Sequence, residues 1–171
     1  MDGKTVNNSS VILRHIVQPQ DANLAGITHG GVVMKNIDDA AGVVAVKHSG
    51  CAVVTASIDR MDFHHPVYIG NLLTIKASIN MVGRTSMEIG VRVEAEDIVT
   101  GHTRHTASAY LTFVALNENN KPTRIPPLKL VTDEEKRRNR EAADRKEVRL
   151  AEKSKEKRCH RDPDDCQVSL I

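Results

Sequence analysis

The chain has 171 residues, of which 24 are Lys or Arg and 22 are Asp or Glu, giving a formal net charge of +2. This small charge argues against nucleic-acid binding by bulk electrostatics, and two Tyr plus two Phe cannot form the stacking platform of a single-strand-binding protein. There is no apolar run of transmembrane length and no secretory signal in MDGKTVNNSS, and three cysteines without metal-ligand spacing favour a cytoplasmic setting, with a mitochondrial one left open.

The charged residues are unevenly distributed along the chain. Residues 133–158 carry 11 basic and 8 acidic side chains, whereas the 132 residues before them carry 12 basic and 11 acidic. This pattern predicts a globular body that is long enough to bury a core, followed by a charge-saturated extension. We divide the chain into a flexible N-terminus (1–10), one globular domain (11–130), a charged helical extension (131–158) and a disordered tail (159–171).

Apolar periodicity predicts an α+β fold. Val11–Val17 is predicted to be a short strand. The stretch from Val32 to His48 is apolar on nearly every helical face, which indicates a buried helix; its β-branched residues also fit a strand, but its length and its alanines favour the helix. Four further strands are predicted after the helix, at Ala52–Asp59, Asn71–Val82, Met87–Glu96 and His102–Asn117. Short turns join the last three of them, which predicts an antiparallel meander.

Alternation of apolar and polar residues assigns faces to these strands. In the first strand, the residues predicted to share one face are Val54, Ala56 and Ile58. In the second they are Leu73, Ile75, Ala77, Ile79 and Met81, and in the third they are Met87, Ile89, Val91, Val93 and Ala95.

The charged extension is predicted to be helical. Thr132-Asp133-Glu134-Glu135 supplies an N-cap and first-turn acids. A solvated helix held by ion pairs four residues apart is the favoured interpretation, and a partner-binding or RNA-contacting arm is the alternative. The apolar residues of this predicted helix form at most a thin stripe of Ala142, Ala143, Val148, Leu150 and Ala151.

The end of the sequence carries a separate short motif. Its last three residues, Ser169-Leu170-Ile171, match the pattern that strand-addition domains bind.

Two features of the body could carry chemistry, and the first is Gly30-Gly31 directly before the predicted helix. Glycines let a ligand approach the backbone, and the free N–H groups of the first helical turn would stabilise a developing oxyanion. A loop that needs positive φ explains the two glycines equally well.

The second feature is Asp38-Asp39 in the middle of an otherwise apolar helix, where a carboxylate is costly unless it is paired or hydrated. Lys35 is close enough in sequence to form an ion pair with either aspartate. An aspartate without such a partner would line a cavity and is a candidate general base. The pairs His64-His65 and His102/His105 are interpreted as structural or surface histidines, because the members of each pair point to opposite faces of a strand.

Four motifs occur in this order within residues 11–130: His29-Gly30-Gly31, Asp38-Asp39-Ala40-Ala41-Gly42, Val54-Thr55-Ala56-Ser57 and Arg84-Thr85-Ser86-Met87-Glu88. As a set they resemble the hotdog-fold acyl-CoA thioesterases, above all the cytosolic acyl-CoA hydrolases of animals, which carry tandem hotdog domains. The resemblance implies a curved antiparallel sheet wrapped around the central helix. It also implies hydrolysis of fatty acyl-CoA without a metal or organic cofactor, by a homodimer or a trimer of dimers with the active site between two subunits.

The resemblance implies roles for individual residues as well. Asp38 would be the general base or nucleophile, and the backbone N–H groups of Gly30 and Gly31 would polarise the thioester carbonyl. Contacts to CoA would fall on Ala56-Ser57-Ile58 and on Arg84-Thr85-Ser86-Met87, with the arginine as a phosphate contact.

One position departs from the pattern of the family. Many members carry Asn or Asp two residues before the His-Gly-Gly motif, where this chain has Ile27, so it resembles the acid-bearing half of the tandem enzymes. Thr28 would then hold the water, or the chain would pair with an Asn-bearing paralogue, or it would be a non-catalytic acyl-CoA-binding or assembly subunit.

Overall fold

The structure is a computed structural model that describes residues 2–159, and it describes side chains as far as residue 155. The α+β prediction is confirmed. In chain order the elements are β1 (Lys4–Thr5), β2 (Val11–Ile16), α1 (Gly30–Ser49), β3 (Ala52–Phe63), β4 (Leu72–Val82), β5 (Ser86–Glu96), β6 (Thr103–Leu116), β7 (Leu128–Lys129) and α2 (Asp133–Cys159), with short 3-10 turns at Val6–Asn8 and Pro19–Asp21.

Five antiparallel strands form the main sheet in the order β2-β4-β5-β6-β3, and α1 packs against one face of it. We call this the inner face, and the opposite one the outer face. The predicted meander of β4, β5 and β6 is confirmed. The predicted buried helix is also confirmed, because Ile37, Ala40, Ala41 and Val44 of α1 are all buried in the core. The inner-face residues predicted for β5 are buried too, from Met87 to Ala95 in alternate positions.

Two predicted strand faces are wrong, because β-bulges interrupt the alternation. In β3 the register shifts at Ala56, so that Val54 lies on the outer face and Ile58 on the inner face. In β4 the register shifts at Asn80, which moves Met81 to the outer face. Each bulge adds one residue to a strand, and every side chain beyond it changes face.

The N-terminal segment is not the flexible one that we predict from sequence, at least over the residues that the structure describes. Lys4–Thr5 pairs in parallel with Leu128–Lys129, and Val6 is buried in the core. The Lys4 ammonium also donates 2.8 Å hydrogen bonds to the carbonyls of Lys47 and His48 at the C-terminal end of α1. These partners are distant in sequence, so local composition cannot reveal them.

α2 begins at the predicted cap. The Thr132 hydroxyl accepts a hydrogen bond from the Glu135 N–H (3.2 Å), and the Glu135 carboxylate accepts one from the Thr132 N–H (3.0 Å). Ion pairs such as Glu134 with Arg138 stabilise the first turns, as the solvated-helix interpretation expects. Arg137 and Arg138 lower the pKa of the Glu134 carboxyl to about 2 by donating hydrogen bonds to it.

α2 is nevertheless docked on the outer face of the sheet, mostly by polar side chains, and of the predicted apolar stripe Ala142 is the fully buried member. Val148 and Leu150 are 59% and 55% exposed. The residues that contact or lie against the sheet recur every three or four positions, as one helical face requires: Asn139, Ala142, Arg145 and Arg149.

Among the described residues, no helix is long and apolar enough to cross a membrane, and no group of three or more His, Cys, Asp or Glu side chains has the arrangement of a metal site. Cys159 ends α2. The rest of the predicted disordered tail, including Ser169-Leu170-Ile171, lies outside the described residues.

Candidate active site

α1 begins with an unusual cap. The His29 Nδ1 accepts a 2.9 Å hydrogen bond from the Gly31 N–H, so the imidazole takes the place of the usual Ser, Thr or Asp side chain. A Cβ on Gly31 would lie only 3.1 Å from that nitrogen, which explains the glycine. The Gly31 N–H is therefore occupied, and of the two predicted oxyanion donors only the Gly30 N–H has no acceptor among residues 2–159.

A cavity of about 360 Å³ opens beside this first turn. Thr28 lines it and is buried, and its hydroxyl has no hydrogen-bond partner within the described part of the chain. The Thr28 N–H donates to the Val67 carbonyl at 2.8 Å, which fixes the residue in place. The lining residues are Asn23, Ile27, Thr28, Gly30, Phe63, His64, His65, Pro66 and Val67.

Asn23 presents an amide group to this cavity. Its side-chain carbonyl accepts hydrogen bonds from the N–H groups of Ala25 (2.9 Å) and Ile27 (3.4 Å), which forms an Asx-type turn. The orientation of the side chain is thereby fixed, and the NH₂ group has no acceptor among the described residues. Asn23 is absent from the site residues predicted by sequence, and Ile27, the position at which an amide is expected, lies beside it.

The two adjacent aspartates of α1 have different environments. The exposed Asp39 carboxylate accepts a 2.8 Å hydrogen bond from Lys35, and its hydrogen bond and charge raise the pKa of the lysine. Asp38 is half-buried and forms no ion pair within the described residues. Instead, it accepts a 2.8 Å hydrogen bond from the Thr55 hydroxyl on β3. The ion-pair interpretation therefore holds for Asp39, and Asp38 keeps the properties of a candidate base.

A second cavity, of about 470 Å³, contains this carboxylate. Apolar side chains supply much of its wall, as in sites that accept an acyl chain. Its lining residues are Asp38, Asp39, Gly42, Val43, Val46, Lys47, Val53, Thr55 and Phe113.

The two cavities share no lining residue. Asp38 follows Gly30 by eight residues of continuous helix, which is about 12 Å along the axis at the usual rise. The same helix and the edge strand β3 expose large apolar side chains, and β3 has no second neighbour within the described chain. These side chains are Met34, Val43, Val46, Ile58 and Phe63, each 41–52% exposed. One chain thus contains two separate cavities and an uncovered apolar surface.

The predicted CoA contacts differ in how accessible their side chains are. Ala56 and Ile58 are exposed on β3, but the Ser57 hydroxyl donates to Asp59 (2.9 Å) on the outer face. Met87 is 1% exposed, so its side chain cannot touch a ligand. The remaining three residues, Arg84, Thr85 and Ser86, lie where β4 connects to β5, and they line neither of the two cavities.

Residues 25–102 match the family model described as the Thioesterase superfamily. The chain is 40% identical over 143 residues to the cytosolic acyl coenzyme A thioester hydrolase of Rattus norvegicus, which covers 82% of this chain and 38% of the rat protein. An acyl-CoA thioester hydrolase of Bacillus subtilis is 37% identical over 127 residues, which are 74% of each chain. The chain therefore belongs to the thioesterase superfamily of hotdog-fold thioester hydrolases, although it spans well under half of the rat relative.

Two solved structures are similar over almost their whole length. A hexameric acyl-CoA thioesterase, solved without ligand, is 39% identical with a TM-score of 0.86, over 89% of this chain and 97% of that one. The acyl-CoA hydrolase of Staphylococcus aureus, solved with butyryl-CoA, CoA and CoA disulfide, is 35% identical with a TM-score of 0.85, over 92% and 96% of the two chains.

The S. aureus enzyme has also been solved with an aspartate, an asparagine or a threonine replaced by alanine. In that enzyme the aspartate follows the asparagine by 15 residues and precedes the threonine by 17. In this chain Asp38 follows Asn23 by 15 residues and precedes Thr55 by 17. The equal spacing aligns Asn23, rather than Ile27, with the asparagine of the S. aureus enzyme.

Proposed function

We propose that the chain hydrolyses acyl-CoA to a free fatty acid and CoA, with Asp38 as the general base. The observation that carries the proposal is the 2.8 Å hydrogen bond from Thr55 to an aspartate that has no cationic partner among the described residues and lines a largely apolar cavity. The hydrogen bond orients the carboxylate without neutralising its charge.

The chemistry follows from these groups. Asp38 takes a proton from water as the water oxygen attacks the thioester carbonyl. The Gly30 N–H and the Asn23 amide stabilise the oxyanion that forms. The carbon–sulfur bond then breaks, the thiolate of CoA leaves, and the proton on Asp38 passes to the sulfur. A thioester is activated enough that this sequence needs neither a serine nucleophile nor a bound cofactor.

The site is completed by two copies of the chain. The Gly30 N–H and Asp38 of one copy are about 12 Å apart along the helix, which is too far for one thioester to reach both. A partner that covers the apolar surface of α1 and β3 would bring its Asn23 and Gly30 to the other copy's Asp38. We therefore propose a homodimer or a trimer of dimers, in line with the hexameric relative. CoA would contact Ala56 and Ile58 by side chains, and Ser57 and Met87 by backbone.

Arg84, Thr85 and Ser86 remain proposed CoA contacts that such an assembly must bring to the site. Thr28 is proposed to hold the attacking water through its unpartnered hydroxyl. The cytoplasm is the proposed location, since the rat relative is named as cytosolic.

Mixing two inactive variants tests the shared site. Asp38→Asn and Asn23→Ala should each lower kcat about 100-fold or more on a series of acyl-CoAs from acetyl to palmitoyl. Subunits unfolded and refolded together should recover about a quarter of the wild-type activity, because half of the dimers are mixed and each mixed dimer has one intact site. Asp39→Asn is the matched control and should change kcat less than about threefold.

Full activity of Asp38→Asn would exclude the general-base role. No recovery in the mixture would place the amide and the acid in one subunit. The alternative function is a non-catalytic acyl-CoA-binding or assembly subunit that needs an Asn-bearing paralogue. This alternative was based on the lack of an amide at Ile27, and an amide supplied by Asn23 removes that argument. It predicts that the wild-type chain binds acyl-CoA without hydrolysing it.

A further inference from the structure

The edge strand β3 contains two bulges that send its side chains to opposite faces. Thr55 pairs with Phe113 on the inner face, and Ser57 pairs with Thr112 on the outer face, so Ala56 is an extra residue between them. A second extra residue, Asp59, lies between Ile58 and Arg60. In a regular strand, Thr55 and Ser57 would share a face. The first bulge therefore allows Thr55 to reach Asp38 while the residues after it reach α2.

The second bulge is held from the outer face. The Asp59 carboxylate forms an ion pair with Arg149 of α2, and the two side chains are only 9% and 13% exposed. The Ser57 hydroxyl donates to the other oxygen of the same carboxylate at 2.9 Å. The segment after Ala56 is thus fixed to α2 by a charge-assisted contact in a mostly water-free environment, where such contacts are strong.

On the basis of the proposed function, we propose that Arg149 is a positioning residue for the reaction. It holds β3 in the bulged conformation that directs the Thr55 hydroxyl at the Asp38 carboxylate. Only three residues separate Thr55 from Asp59, so a change in the bulge at Asp59 alters the direction of the Thr55 side chain. The charged helix, which is an appendage by composition, therefore acts on the catalytic aspartate from the far side of the sheet.

A second arginine of α2 provides a matched control. Arg145 also forms a largely buried ion pair, with Glu88, and its guanidinium lies 3.7 Å from the centre of the Tyr110 ring. Glu88, however, is on β5, which has a neighbouring strand on each side and carries neither Asp38 nor Thr55. Loss of Arg145 weakens the docking of α2 without reaching Thr55.

The experiment compares Arg149→Gln with Arg145→Gln in the full-length chain. Arg149→Gln should lower kcat about 10- to 100-fold, because a group used in the chemical step is misplaced. Arg145→Gln should lower Tm but leave kcat unchanged. Arg149→Lys keeps the charge and should recover part of the lost kcat, and it serves as the test variant if Arg149→Gln does not fold.

A double-mutant cycle separates positioning from general destabilisation. Thr55→Val should lower kcat by itself, and Arg149→Gln should have no further effect in that background, since both changes remove the same hydrogen bond. Multiplicative effects, or equal losses of kcat in Arg145→Gln and Arg149→Gln, would overturn the proposal.

A crystal structure of Arg149→Gln gives a readout that does not depend on turnover. The Thr55 Oγ1 to Asp38 Oδ1 distance, 2.8 Å in the wild-type chain, should lengthen beyond hydrogen-bonding range. An intact hydrogen bond in the variant would refute the inference. A wild-type chain without thioesterase activity would refute the proposed function instead, and the structural comparison would still decide the role of Arg149.

Discussion

The Asn80 side chain occupies the space that a side chain on Gly90 would need: a Cβ on Gly90 would lie 2.7 Å from Asn80 Nδ2. Asn80 is the extra residue of the bulge in β4, and its amide donates a 3.1 Å hydrogen bond to Glu88. Glu88 is 1% exposed and also pairs with Arg145. The glycine thus makes room for a polar group that helps to satisfy a buried carboxylate.

Gly90→Ala is therefore expected to destabilise the chain. The added methyl group displaces the Asn80 amide and leaves Glu88 with fewer donors, which should reduce the free energy of unfolding by about 2–4 kcal/mol in urea titrations. Gly42→Ala is the control, because its Cβ would lie 3.8 Å from Phe113 in ordinary contact. It removes a glycine from a helix and should gain about 0.5–1 kcal/mol. Equal stability of Gly90→Ala and wild type would contradict the steric argument.

His29→Ala removes the cap of α1. The loss of the acceptor for the Gly31 N–H should cost about 0.5–2 kcal/mol of unfolding free energy, and it should lower kcat as the first helical turn loosens around the Gly30 N–H. His29→Asn supplies another good capping side chain and should restore most of the stability. If Asn is no better than Ala at this position, the imidazole is not acting as a cap.

His48 makes stability depend on pH. The buried ring donates through Nε2 to the Pro126 carbonyl (3.0 Å) and contacts the Ser9 hydroxyl through Nδ1 (3.4 Å). Burial lowers the pKa of His48 below its ordinary 6.5, the Lys4 charge adds to this, and the hydrogen bond to Pro126 opposes it.

The folded chain therefore binds a proton at His48 less readily than the unfolded chain does. The contribution of neutral His48 to the free energy of unfolding is complete above 6.5, the pKa of the histidine in the unfolded chain. It decreases as the pH falls through that value towards the lower pKa of His48 in the folded chain. Thermal unfolding should show a lower Tm at about pH 5.5 than at about pH 7.5. His48→Gln keeps a donor for Pro126 but does not titrate, so its Tm should vary less over this range. An unchanged pH dependence in His48→Gln would assign the effect elsewhere, for example to His105, whose pKa burial also lowers.

Neighbouring alanines of α2 distinguish a docked helix from a solvated one. Ala142 is fully buried against the sheet, whereas Ala143 is exposed. Ala142→Leu overfills the contact and should cost about 1–3 kcal/mol of unfolding free energy, while Ala143→Leu should stay within about 0.5 kcal/mol of wild type. Equal stabilities of the two variants would mean that α2 is not docked in solution.

Local periodicity was sufficient to predict α1 and the buried face of β5, since each of these depends only on the spacing of apolar residues within one segment. It was not sufficient for Val54 and Met81, because a bulge is defined by the pairing of two strands that are distant in sequence. The docking face of α2 was missed for a similar reason. Arg145 and Arg149 are recognisable as buried residues only when Glu88 and Asp59 are known to face them.

The residues of the candidate site likewise include some that the sequence predicts and one that it does not. Asp38 stands out because a carboxylate is conspicuous within an apolar helix, and Gly30 because it precedes that helix. Asn23 lies in a polar loop where one more amide carries no local signal. Only its distance along the chain from Asp38, compared with that in a relative, makes it a candidate.

The two ends of α1 differ in how their partial charges are compensated. At the C-terminal end, the Lys4 ammonium lies 2.8 Å from two of the last carbonyl oxygens, so that end is neutralised by the chain's own fourth residue. At the other end, the first turn contains no acidic residue, and the cap is an imidazole nitrogen rather than a carboxylate. The positive end of the helix thus retains its attraction for negative charge, and no carboxylate of the first turn competes there with an anion arriving from solution.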